Sequence, residues 1–195
     1  MDYKEEFLRI YENNIKREGS TELLNWLSKR DFFTAPASGR RHLAYEGGLV
    51  VHSVNVYNRL MRNLKMEFGD NIPFSSETIA IVALLHDVCK VDFYTVDYKN
   101  SKVDGTWVQV PYYKIEDSLP YGHGEKSAYI INGFLRLTRE EAMAINWHMG
   151  AWDDRVKGGS YSLGEAFKAY PLALWLHISD TQATYFDEIE DTTTD

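Results

Sequence analysis

Polar residues stand in this chain at positions where they are costly. His52, His86, Asp87, His148 and Asp180 each fall within, or at the end of, a strongly apolar helical stretch. An unpaired imidazole or carboxylate there costs several kcal/mol, so each needs a partner. A lone histidine in such a place ordinarily donates to a backbone carbonyl and fills the core. The whole set admits another reading. Imidazole nitrogens and carboxylate oxygens together suit borderline divalent ions, two carboxylates offset the ion's charge, and one shared metal centre would satisfy every group. As helical neighbours, His86 and Asp87 would diverge by about 100°, so both reach one ion only if it lies over the ridge between them. Lys90 follows four residues after His86 and three after Asp87, on the same helical face. Its ammonium is either solvated or placed to meet a phosphate oxygen.

These residues need helices to bring them together. Apolar residues at helical spacing predict a first helix over Tyr3 to Lys16, and Ser20 can cap a second that carries Leu23, Leu24, Trp26 and Leu27. Residues 32–48, FFTAPASGRRHLAYEGG, gather Gly, Pro, Ser and Ala around a basic pair and read as an irregular loop of the kind that often faces a site. A third helix should run from about Gly48 to Lys65 with His52 on its apolar stripe. A fourth should start at Ser76 as its cap and be the central, most buried one, apolar on nearly every side until His86. Residues 91–120 are rich in Tyr, Val, Thr and Trp around the turn-like SKVDG, which predicts a short β-hairpin inserted between helices. Helical spacing returns over Glu125 to Leu135, and Thr138 with Glu141 forms a capping box for a helix ending near His148. After a loop, MGAWDDRVKGGS, Pro171 opens the last helix. The expectation is one domain over residues 1–186 and a frayed acidic tail over 187–195.

With 195 residues, of which 44% are hydrophobic, the chain can bury one substantial core. A formal charge of −8 and no long Lys/Arg run argue against gripping extended nucleic acid mainly through its phosphates. A small anionic ligand needs only local positive charge. The single cysteine, Cys89, cannot form an internal disulfide and reads as a small buried hydrophobe. The N-terminal MDYKEEFLRI is amphipathic, and the longest apolar run is far below the roughly 20 residues of a membrane span. A cytoplasmic protein without a membrane role is expected. Trp107, Tyr112, Tyr113, Trp147 and Trp152 either fill the core or offer stacking faces for a base. His177, one turn before Asp180, either orients it or packs between helices.

The motifs LVVHSV, LLHDVCK and LHISDTQ, in that order on helices, resemble the HD-domain phosphohydrolase superfamily. The resemblance implies an all-α helical bundle with the small inserted hairpin at about residues 91–117, and His52, His86, Asp87 and Asp180 as metal ligands. Some members hold two ions through further histidines, and His123 in YGHGEKS and His148 in NWHMGAW occupy matching places. Asp87 would then bridge. The implied cofactors are one or two divalent transition ions (Mn, Fe, Co, Ni or Zn), and the implied substrate is a small phosphorylated molecule, a nucleotide or a related phosphoester. Asp87 and Lys90 would serve catalysis, and Arg40, Arg41, His42 and Lys90 would contact the substrate. More narrowly, PASGRRHLAYEGGLVVHS, LLHDVCK and GHGEKS are similar to the catalytic domain of bacterial 3′ to 5′ exoribonucleases of the YhaM type. That makes exonuclease action on short oligonucleotides the alternative activity. A regulatory module that binds a nucleotide without turning it over is a third reading, though such modules can lose ligands and this set is complete.

Overall fold

The computed structural model describes residues 2–189. Its α-helices are α1 (Tyr3–Asn14), α2 (Ser20–Lys29), α3 (Gly48–Phe68), α4 (Ser76–Leu85), α5 (His123–Asn132), α6 (Arg139–Trp147), α7 (Asp154–Lys157), α8 (Ser162–Ala169) and α9 (Pro171–Gln182). The strands β1 (Tyr94–Val103) and β2 (Thr106–Ile115) form one antiparallel ribbon, so all-α describes the body and not the whole chain.

Helix α4 lies at the centre. Ser75, one residue before the expected Ser76, caps it by accepting from the Thr78 N–H, and every residue from Ile79 to Leu85 is buried. Burying each of its Ile, Val and Leu side chains contributes about 1.5–3 kcal/mol. α3 packs on α4 with Leu49, Val56, Leu60 and Leu64 inward, and α9 closes the bundle against both α3 and α6. Thr138 and Glu141 form the expected capping box of α6, and Pro171 begins α9.

A buried polar clamp ties the helices. Arg17, between α1 and α2, reaches Glu141 on α6 through two contacts at 2.7 and 2.9 Å and Glu77 on α4 at 3.3 Å. Thr78 donates to the same Glu141 carboxylate at 2.9 Å. Glu141 is buried, and its pKa lies below the usual carboxylate value: burial opposes this, but the Arg17, Thr138 and Thr78 donors outweigh it.

The ribbon's turn is Asp104–Gly105, both left-handed at φ 48° and 84°, as the tightest hairpin connection requires. Ser101 to Val103, placed in the turn by the sequence reading, instead belong to β1 and pair with Val108, Trp107 and Thr106. The stretch 149–160 is less irregular than expected, holding a 3-10 turn at Gly150–Trp152 and then α7. At the C-terminus, Asp187 and Glu188 belong to the fold and not to a frayed tail: Asp187 pairs with Arg59, and Glu188 is buried. The rest of that tail, from residue 190, lies outside the described residues.

Candidate metal centre

Five segments present their side chains to one point, mostly from helix ends. His52 comes from the first turns of α3. His86 is the residue at which α4 stops, so the pair His86 and Asp87 sits on a helix end and not, as the spacing suggested, on a continuous helix. Asp87 leaves helical geometry with φ −104° and ψ 18°, and a 3-10 turn, Val88–Lys90, follows. His123 is the first residue of α5, which begins two residues before the expected Glu125, His148 ends α6, and Asp180 lies near the end of α9.

The ring nitrogens are sorted. His86 Nδ1 lies 2.9 Å from the Ala83 carbonyl and His148 Nδ1 lies 2.7 Å from the Ile145 carbonyl, each three residues back on its own helix. His52 Nδ1 faces the Glu188 carboxylate at 3.0 and 3.1 Å. Each acceptor takes the Nδ1 proton of its ring and leaves Nε2 as the atom that faces inward. Each far nitrogen thus makes the backbone or carboxylate contact of an ordinary buried histidine, while each Nε2 is turned to the common point.

Inside this shell, His52 Nε2 lies 3.2 Å from His86 Nε2 and 3.2 Å from Asp180 Oδ1. Asp87 stands between two sets. Its Oδ2 is 3.5 Å from His52 Nε2 and 3.5 Å from His86 Nε2, while its Oδ1 is 2.7 Å from His123 Nε2 and 3.5 Å from His148 Nε2. Lys90 is buried with its ammonium 2.6 Å from Asp87 Oδ2.

These charges answer one another. Burial opposes a charged His52, but Glu188 and Asp180 raise its pKa to about 10. Burial likewise opposes a charged His123, and the Cys89 sulfur at 3.4 Å and Asp87 raise it to about 10. His86 goes the other way, to about 4, chiefly through burial. Burial would raise Asp87, yet Lys90, His86 and His123 hold it well below the usual carboxylate range, and His52 does the same for Asp180.

The donor set fits divalent ions. His148 Nε2 is fully buried with no hydrogen-bond partner, an orphan that an ion would satisfy. His52 Nε2 and His86 Nε2 converge at 3.2 Å while each Nδ1 is engaged on the far side of its ring, the placement of two atoms able to share one ligand. The groups His52–His86–Asp87, His86–His148–Asp180 and Asp87–His123–His148 each bring their ligand atoms within 4.8 Å of one another.

The centre forms one wall of a cavity of about 740 Å³, within the range of small-molecule sites. Arg40, Arg41 and Lys157 line it with Tyr94, Trp152 and Tyr185. His42 also lines it, turned toward the centre: its ring is 5.2 Å from that of His52, its Nε2 is 3.7 Å from Glu188, and burial lowers its pKa to about 4. His177 does not orient Asp180. It donates to the His148 carbonyl at 2.7 Å, and a Cβ on Gly150 would lie 2.2 Å from its ring, so it braces the turn after His148. Of the ribbon, only Tyr94 at its base lines the cavity; of residues 149–160, Met149, Trp152 and Lys157 do. Sequence reasoning missed Glu188, Asn55 and Tyr94. Only the acidic run around Glu188 hinted at any of them, and it looked like solvated tail.

A family model described as HD domain matches residues 49–185. No curated protein and no solved structure matches.

Proposed function

We propose, because the chain belongs to the HD domain family, that it is a metal-dependent phosphohydrolase acting on a nucleotide or a related small phosphoester. HD domains are typical of metal-dependent phosphohydrolases. The observation that carries the reading is Asp87, which turns one oxygen to His52 and His86 and the other to His123 and His148. That arrangement suits two ions with Asp87 bridging. His52, His86 and Asp180 complete one ligand set, and His123 and His148 the other. Divalent ions held there, from the manganese-to-zinc range, would supply an acidified water and charge neutralisation for a phosphoryl group.

The chain's own residues do the rest. Lys90 sits against Asp87 at the cavity wall, where its ammonium balances charge growing on the phosphoryl group. Tyr94 is half-buried; burial raises its pKa despite Lys90 nearby, so its hydroxyl remains a donor toward a phosphate oxygen. Arg40 and Arg41, exposed on the cavity rim, draw an anion into an otherwise acidic protein. His42, neutral at physiological pH, offers a hydrogen bond without added charge.

A second reading, release of nucleotides from the end of a short oligonucleotide, is favoured by the exposed rings of Trp152 and Tyr185 on the cavity wall, where a further base could stack. It is the activity suggested by the narrower likeness to YhaM-type exoribonucleases. An assay with Mn, Co, Ni, Zn and Fe(II) against mononucleotides, cyclic nucleotides and short RNA and DNA separates the two. Turnover of mononucleotides that vanishes in Asp87→Ala supports the first, and turnover of oligomers alone supports the second. Binding of nucleotide without turnover under any metal would contradict both.

A further inference from the structure

The segment after α9 carries a carboxylate that the family match does not include, since the match ends at residue 185. Glu188 is buried, and its side chain has no solvent exposure. It accepts from His52 Nδ1 at 3.0 and 3.1 Å and from Asn55 Nδ2 at 3.1 Å. Asn55 lies one turn beyond His52 on α3, and Arg59 lies one turn further, gripping the adjacent Asp187 through two guanidinium contacts. Positions 52, 55 and 59 share one helix face, and that face matches the acidic pair 187–188 group by group. The turn is closed from its own side by the Glu188 N–H on the Ala183 carbonyl at 3.1 Å.

We propose that Glu188 is a positioning residue for the metal centre, holding the His52 ring and its tautomer so that Nε2 is presented inward; this rests on His52 being a ligand. His86 and His148 lean on neutral backbone carbonyls, whereas His52 alone of the three leans on a charged acceptor. A carboxylate against the far nitrogen makes the inward nitrogen a stronger donor to a cation and stops the ring from turning. His52 is also the ligand that most needs a brace. Its Nε2 stands within 3.5 Å of His86, Asp87 and Asp180 at once, so a rotated ring would unmake the first ligand set. The C-terminal turn is on this reading part of the site, although it lies outside the family core.

The test is cobalt(II) binding by calorimetry and visible absorption, with metal-free thermal unfolding run beside it, for wild type, Glu188→Ala and Glu188→Gln. Glu188→Ala should bind cobalt about 10- to 100-fold more weakly, the usual effect of removing such a partner, and shift the absorption bands. Glu188→Gln, whose amide oxygen can still accept from Nδ1, should recover part of the affinity. Should Glu188→Ala fail to fold, Arg59→Ala releases the turn without touching the centre and should weaken cobalt binding several-fold. A Glu188→Ala protein with wild-type affinity and spectrum overturns the proposal, even if it unfolds at a lower temperature. A wild type that takes up no cobalt overturns the underlying metal centre as well.

Discussion

Asp87 constrains the chemistry more than any other single residue, because its two oxygens face different histidine sets at 2.7–3.5 Å. Removing it should empty both positions, whereas removing His123 should spare the set around His52. Metal analysis of protein loaded with Mn(II) should therefore find about two ions in wild type, about one in His123→Ala and almost none in Asp87→Ala. Equal loss in both variants would contradict the bridging role. Lys90 touches Asp87 but brings no ligand atom, so Lys90→Gln should keep the metal and lower turnover by at least roughly a hundredfold, the scale of removing one charge-stabilising donor. His52, His86, Asp87, His148 and Asp180 drew notice in the sequence because a charge or an imidazole in an apolar helix demands an explanation, whereas His123 came only from the family resemblance. Glu188 was not legible, because an acid in a polar C-terminal run demands none; only the fold reveals that α3 turns Asn55 toward it and Arg59 toward its neighbour Asp187.

At the scale of elements, helix ends aim the ligands. His86 and His148 each terminate a helix and fold back on the carbonyl three residues earlier, which fixes the ring and frees Nε2. Gly150, at φ 53° and under the His177 ring, lets the chain turn sharply after His148. Gly150→Ala strains the backbone and displaces that ring, so it should destabilise by more than about 1 kcal/mol and reduce metal occupancy, seen by thermal unfolding and metal analysis. The Arg17–Glu141 clamp makes a pH prediction. Glu141 has a folded pKa below its ordinary value of 4.5, so its contribution to stability is present above that value and is lost as pH falls through the folded one. The stability gap between wild type and Glu141→Gln, measured by denaturant unfolding, should be constant near neutrality and narrow as pH drops below about 4.5. A gap that widens in acid would contradict the clamp. Caps and turn residues such as Thr138, Pro171 and Asp104–Gly105 announced their elements from sequence, because each has a local cause. The end of α4 at Leu85 was hidden, because a turn at His86 and Asp87 leads straight into the 3-10 turn Val88–Lys90, whose spacing is nearly helical.

Across the whole molecule, a helical body holds the centre and the ribbon stands off it. Val96, Tyr98 and Trp107 on one ribbon face are each more than half exposed, so the ribbon adds little to the core. Replacing residues 95–114 by a short turn should leave metal content intact and shift Tm by less than about 4 °C, the change that 1 kcal/mol makes in a domain of this length. A collapse of the folded state would show that the ribbon supports the body. Helix order and the central place of α4 were readable from hydrophobic spacing, while the meeting of five distant segments at one point is a property of packing that spacing alone cannot express. Among the described residues no helix is long and apolar enough to cross a membrane. The most direct test is anomalous diffraction from a manganese-loaded crystal. Two peaks should appear, one among His52, His86 and Asp180 and one beside His123 and His148, with Asp87 between them. Density with no peak inside this ring of side chains would contradict the metal centre and the hydrolase reading built upon it.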